Sequence, residues 1–455
     1  MWRKAWASAS RGPAGCPLPW PSACSTPANR PGRSPWPAYG HCTGRQARLL
    51  GLNWVLAPVC DVNNNPANPV INVRAWGEDP STAGRLGAAF IAGAQAEGVL
   101  ACAKHFPGHG DTDTDSHLEL PRLPHRRSRL EAVELPPFRA AIEAGVATVM
   151  TAHLLLPELD PDRPATLSPL VLEKLLRREL GFNGLVVTDA LVMEAITARW
   201  GAGEAALLAF EAGADLLLMP ADADAAITAL LEALASGRIS RGRLEQSLER
   251  RERALALATA APTDPATPEA LEGVETGAEL ALARELVTVS LQSQGREELP
   301  PGPGLNLIRL DSVLANPFLP LMAPALQRPA RNGYAACLID GRSPSPWSGE
   351  PTAPLALDRL PPGPVLLQLF VRGNPFRGSA GGEEPWPAVV RQLLGAGRLA
   401  GLAVYGSPYL WQALRPLLPQ ELPAAYCPGQ MPLAQALLLD RLGLAGGGLE
   451  GGFTD

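Results

Sequence analysis

At 455 residues, with 46% hydrophobic and 18% charged side chains and a net charge of −6, the chain has the composition of a globular protein of two to three domains. No basic excess points to nucleic acid, and no run approaches roughly eighteen consecutive apolar residues, so neither a nucleic-acid partner nor a membrane span is expected. The seven cysteines show no CxxC pair and no regular spacing, and no secretory apolar core opens the chain, which together suggest buried thiols in a cytoplasmic protein.

Residues 1–45 differ from the remainder. They hold no Asp or Glu, are dense in Pro and Trp, and show neither a two-residue nor a 3.6-residue period, so they are expected to be disordered or mis-translated. From about Gln46 the texture changes to that of an α/β domain, expected over 46–260. Asn53–Val59 reads as a buried strand ending at Cys60-Asp61, and an Asn/Pro-rich loop carrying Arg74 follows. Ser81 is expected to cap a helix that Gly98 ends. Further strands are expected at 99–103, 146–151, 185–188 and 214–219, with helices at 131–144, 169–180, 205–212, 222–236 and 241–258.

Short apolar strands alternating with amphipathic helices predict a parallel sheet covered on both faces. The five strands end at Asp61, Lys104, His153, Asp189 and, just beyond Met219-Pro220, Asp222. A row of polar residues at successive strand ends is what the mouth of a barrel requires. A linker is expected at 261–276, and 277–455 reads as a smaller α/β sandwich with strands at 305–310, 335–339, 365–371 and 402–405. Its helices are expected near 387–395, 408–417 and 431–442, and its Gly-rich tail is expected to be flexible. No internal repeat is evident.

The chemistry gathers in Ala103–Pro121, AKHFPGHGDTDTDSHLELP. Within fourteen residues it holds Lys104, His105, His109 and His117 with Asp111, Asp113 and Asp115, and five of the six histidines lie between 105 and 153. Asp115 two places before His117 can orient an imidazole and raise its basicity, and is also what a solvated loop would show. A calcium loop starting at Asp111 needs Gly in its sixth place and Glu in its twelfth; Ser116 and Arg122 stand there and exclude it. Zinc on His105, His109 and His117 is a further reading, although the HxxxH spacing crosses a Pro-Gly break. Asp189 at the end of GLVVTDA is either a helix N-cap or a nucleophilic carboxylate. Arg74 either braces its loop against Glu78 or Asp79 or points into the mouth with Lys104 and His105. Met193 and Glu194 read as packing and surface residues.

KHFPGHGDTDTDSH, followed by VMTAH and GFNGLVVTDALVMEAI, resembles glycoside hydrolase family 3, in its β-N-acetylhexosaminidase branch. The resemblance runs from about Gly51 to Pro220 and more loosely through the C-terminal half. It implies a (β/α)8-type TIM barrel followed by a smaller α/β/α sandwich, and no cofactor or metal. It also implies a retaining hydrolase that releases N-acetylglucosamine from the non-reducing end of β-linked peptidoglycan fragments or chito-oligomers through a covalent glycosyl-enzyme. By the same resemblance Asp189 would be the nucleophile, His117 the general acid/base with Asp115 as its partner, and Arg74, Lys104 and His105 the sugar-binding set. An imidazole titrates near ~6.5, which suits proton exchange at neutral pH. Members of the family begin with two further strands, the second ending in a sugar-binding Asp-Gln-Glu-Gly-Gly segment that has no counterpart here. Residues 1–42 are therefore expected to come from a truncated or frame-shifted start, leaving the barrel without its first strands. An inactive sugar-binding remnant and a glycosyl phosphorylase are the competing readings.

Overall fold

The computed structural model describes residues 35–259, 273–295, 298–310, 319–339, 356–371 and 385–445. The expected disorder of 1–34, most of the expected linker (261–272) and the end of the expected flexible tail lie outside the described residues. The described chain forms two compact units that divide at Leu282 and Ala283.

In the first unit, helix α1 (Pro35–Leu49) precedes the sheet. Strands β1 (Cys102–Phe106), β2 (Thr148–Thr151) and β3 (Leu185–Val187) then pair in parallel and in chain order. Residues 53–60 join the β1 side through parallel bridges at Trp54–Leu100 and Val59–Lys104, and Leu216 bridges Val187 on the other side. The five segments expected as strands thus lie side by side in sequence order, like consecutive staves of a barrel. The outer two are irregular for local reasons. Pro58 has no amide proton to give the ladder, and Met219 takes a positive φ of 47° before Pro220.

Helices α2 (Pro80–Ala96), α3 (Pro136–Glu143), α4 (Leu170–Glu179, wound with the wider π turn) and α5 (Ala202–Ala212) follow the successive staves. Asp79, rather than the expected Ser81, caps α2 by accepting from Thr82 N at 2.7 Å, and Gly98 closes it at φ 73°. The expected helix 131–144 is broken. Pro136 and Pro137 withhold amide protons, so Leu130–Glu134 winds with a wider turn, Leu135 N donating to Leu130 O. The core joins Phe106, Phe138, Leu172, Leu175, Val186 and Leu208, with the Phe106 and Phe138 rings perpendicular at 5.2 Å. Helices α6 (Ala223–Ala235) and α7 (Arg241–Thr259) complete the unit. No helix among the described residues is long and apolar enough to cross a membrane.

Helix α8 (Gly277–Ser290) runs into the second unit, whose strands are β4 (Gln292–Gln294), β5 (Gly304–Leu310), β6 (Tyr334–Ile339), β7 (Val365–Val371), β8 (Leu399–Gly406) and β9 (Ala424–Cys427). They form one sheet in the order β4-β9-β8-β7-β5-β6, parallel except for β4. Trp386, Val389 and Trp411 cover one face, and Ala325, Leu438 and Leu439 the other, which makes the expected three-layer sandwich. β4 and β9 were not foreseen: QSQ carries no apolar signal, and AAYC is only four residues long.

The expectation of disorder through residue 45 is corrected by α1. Its aromatic residues enter a cluster with Trp76 and Phe90, with ring centroids 5.6–6.1 Å apart for the pairs that Trp36 and Tyr39 make. Glycines let α1 and α2 touch backbone to backbone. A Cβ at Gly93 would overlap Pro37 O and His41 N, and one at Gly40 would overlap Phe90 O. Gly and Pro are poor helix formers, which hid this helix from a propensity reading. Gly93→Ala is expected to destabilise the protein by about 1–3 kcal/mol through overpacking, measured by urea denaturation.

Candidate active site

The site starts from Asp61, which follows the first stave and is fully buried. A buried carboxylate needs partners. Asp61 Oδ1 accepts from the backbone N–H of His105 (3.1 Å) and of His109 (2.7 Å), and Oδ2 accepts from His105 Nδ1 at 2.7 Å. Burial alone would raise its carboxyl; the electrostatic interaction and hydrogen bond with His105, then those with His109, outweigh that and hold it below the ordinary range.

Because His105 Nδ1 donates to Asp61, its Nε2 faces the mouth and accepts a long hydrogen bond from Arg74 Nη2 at 3.5 Å. An arginine only donates, so the ring is the neutral Nδ1–H tautomer. Burial, the largest influence, holds this imidazole below its ordinary range. Arg74 Nη1 donates to Val70 O at 3.1 Å, and Asp79 is engaged in capping α2, so Arg74 points into the mouth. Lys104 stands beside them, pushed down to about 8 by burial and by Arg74.

The loop after β1 presents Asp115 and His117. Asp115 Oδ1 accepts both the backbone N–H (2.9 Å) and the ring Nδ1 (2.7 Å) of His117, which turns the Nε2 edge away from the carboxylate. The loop is pinned at its start. A Cβ at Gly110 would collide with the Val62 backbone, and buried Asn68 Nδ2 donates to His109 O (2.8 Å) and Gly110 O (2.9 Å). Asp115 lies within electrostatic reach of Arg74, and His117 within that of His153.

Asp189 is half-buried at the end of β3. It is not an N-cap: its Oδ1 accepts from the neighbouring Ala190 N at 2.8 Å, while the next helical turn, Glu194–Thr197, is preceded by Met193. Burial opposes its ionisation; His105, His153, the Ala190 amide and Lys104 outweigh burial and bring the carboxyl down to about 2. His153 is fully engaged. Its Nε2–H donates to Ala190 O (3.1 Å) and its Nδ1 meets Thr166 Oγ1 at 2.8 Å, so it braces the peptide that follows Asp189.

Arg74, Lys104 and His105 lie within electrostatic reach of Asp189, Asp115 within that of Arg74 and His117 within that of His153, and the arrangement offers an ionised carboxylate, fixed cations and an oriented imidazole. The alternative zinc reading is not supported: His105 Nδ1 belongs to Asp61, His117 Nδ1 to Asp115, and both ring nitrogens of His109 are engaged by Thr112 (2.8 Å) and Ser116 (3.0 Å). Donor atoms of Asp111, His125 and Glu134 do come within 4.8 Å of one another, but Arg129 bridges the two carboxylates and is the cation there. Sequence reasoning missed Asp61 as the organiser, and His109, His153 and Asn68 as supports. Asp61 and His153 had signals as strand ends; Asn68 had none.

A family model described as the glycosyl hydrolase family 3 N terminal domain matches residues 35–254, and one described as the bacterial glycosyl hydrolase family 3 C-terminal domain matches 302–443. The chain belongs to glycosyl hydrolase family 3. Among its relatives are the beta-hexosaminidase A of Pseudoalteromonas piscicida, 44% identical over 189 residues (39% of this chain, 32% of that protein), and a beta-hexosaminidase of Neisseria meningitidis, 38% identical over 180 residues (40% and 49%). A solved family 3 beta-N-acetylglucosaminidase from Paenibacillus sp. str. FPU-7 superposes with a TM-score of 0.75 at 33% identity, covering 90% of this chain and 78% of that one. The matched stretch spans a third to a half of the length of these two curated relatives.

The buried imidazoles set a pH dependence. His109 is held down to about 4 by burial, against about 6.5 in an unfolded chain, so its contribution to stability is complete above pH ~6.5 and fades as pH falls towards 4. Urea denaturation from pH 7 to 4 is expected to show a loss on the order of 3 kcal/mol from this group, and His109→Gln to remove that part of the slope.

Proposed function

We propose that this chain is a retaining glycosidase that releases N-acetylglucosamine from the non-reducing end of β-linked oligosaccharides. The observation that carries the reading is the pairing of two opposite demands in one mouth. Asp189 is kept ionised beside Lys104 and Arg74, and His117 is oriented by Asp115. A carboxylate nucleophile must stay charged, and its partner must exchange a proton.

In the first step an Asp189 oxygen attacks the anomeric carbon while the bond to the leaving oxygen breaks, and His117, charged at that moment, gives it the Nε2 proton. Asp115 stabilises the imidazolium and fixes the tautomer. In the second step the neutral Nε2 takes a proton from water as the water oxygen attacks the anomeric carbon. The Asp189 ester bond breaks and the sugar leaves with its β configuration restored. Lys104, His105 and Arg74 contribute donors and one acceptor for sugar hydroxyls; two displacements at one carbon need the ring held still. The names of the relatives support N-acetylglucosaminide as the substrate class, in peptidoglycan fragments or chito-oligomers. An acid/base that is neutral after the first step puts no second anion beside the ester, so inorganic phosphate is the acceptor to test against water.

Hydrolysis of para-nitrophenyl N-acetyl-β-glucosaminide, with and without phosphate, is the direct test. Turnover independent of phosphate is expected; a glycosyl phosphate product would make the chain a phosphorylase, and no turnover by folded protein would leave a sugar-binding remnant. Asp189→Ala is expected to lower kcat by at least about 10³-fold and His117→Ala by about 10²–10⁴-fold, with folding retained.

A further inference from the structure

The loop that carries Asp115 and His117 contains no strand or long helix, so something else must fix its course. Its internal hydrogen bonds converge on His109, which is 2% exposed. The backbone N–H of His109 donates to Asp61, and its ring lies between Thr112 Oγ1 (2.8 Å from Nδ1) and Ser116 Oγ (3.0 Å from Nε2). Both hydroxyl residues are buried, and Ser116 sits between Asp115 and His117 in sequence.

Thr112 Oγ1 also lies 3.1 Å from His109 O, to which it can donate. With that proton given to His109 O, Nδ1 carries the ring proton and Nε2 accepts from the Ser116 hydroxyl; in the other tautomer both bonds reverse and the same two residues are held. Each end of the segment 112–116 is thus tied to one side of a single rigid ring. That ring packs edge-on to His105 with centroids 6.1 Å apart, and one carboxylate, Asp61, holds the backbone of both.

We propose that His109 is a positioning residue that clasps Thr112 to Ser116 and so sets where Asp115 presents His117 to the glycosidic oxygen. The inference deepens the glycosidase reading and rests on it. The ring makes no use of its own proton in the reaction; it acts through the loop. Asp61 links this clasp to His105, so the sugar-binding ring and the acid/base loop share one anchor.

The clasp is tested by the leaving-group dependence of kcat/KM, which reports the first displacement. Departure of a sugar alcohol needs the His117 proton, whereas departure of dinitrophenolate does not. Ser116→Ala removes one hydroxyl, leaving Asp115 and His117 in place. It is expected to lower kcat/KM on chitobiose by about 10–100-fold and on dinitrophenyl N-acetyl-β-glucosaminide by less than about threefold, since misplacement by ~1 Å costs as much as ~10²-fold. His109→Gln is expected to reproduce this split, and Thr112→Ser, which keeps its hydroxyl, to behave as wild type. Melting curves identify any variant that fails to fold, and either Ser116→Ala or His109→Gln alone suffices. If His117→Ala shows the split and a folded Ser116→Ala or His109→Gln does not, the clasp is wrong. Full turnover of chitobiose by His117→Ala would overturn the glycosidase reading, and the clasp with it.

Discussion

One buried carboxylate sets the geometry on which the mouth depends. Asp61 is fully buried, so its two oxygens must be saturated by donors; two come from His105 in β1 and the third from His109 just after it. That requirement fixes the tautomer of His105, turns its Nε2 towards Arg74, and places the His109 amide at the start of the loop carrying Asp115 and His117. A protein without this anion could keep its sheet and still lose the register between the His105 ring and the loop carrying Asp115 and His117. The carboxylate lies one stave away from β1 because parallel neighbours in chain order bring the ends of residues 53–60 and of β1 together.

Burial does a second job in the mouth. It holds His105, His109 and His153 below their ordinary range, so at neutral pH these rings are neutral and work by hydrogen bonding. The standing positive charge is left to Arg74 and to Lys104, which remains mostly protonated below about 8. Asp189 stays ionised although half-buried, because His105, His153, the Ala190 amide and Lys104 together outweigh burial. His153 keeps that amide in place by binding the Ala190 carbonyl. Of the four histidines, three are thus braces and His117 is the one the proposed reaction uses to exchange a proton, a division set by their partners rather than by their identity.

Much of this was legible in the chain. Apolar runs ending in Asp61, Lys104, His153 and Asp189 gave the staves and their polar ends, since period and length alone separate short buried strands from the helices between them. The motif around His117 gave the chemistry by resemblance. What stayed hidden was whatever depends on contacts distant in sequence. Helix α1 is held by aromatic packing and glycine contacts with α2, so its own Gly and Pro residues argue against it. Asn68 lies in an Asn/Pro loop where several asparagines look alike, and only its contacts at 109–112 single it out. His109 resembled a metal ligand because spacing cannot tell which partner each ring nitrogen has.

The central claim is that Asp189 is the atom-bearing nucleophile of a two-step displacement. Incubation with a fluorinated N-acetylglucosaminyl fluoride that slows breakdown of the ester, followed by peptic digestion and mass spectrometry, tests it directly. The account predicts a stoichiometric glycosyl adduct on the peptide containing Asp189, absent from Asp189→Ala. Turnover of the reagent with no adduct at any time, or an adduct on another carboxylate, would contradict it.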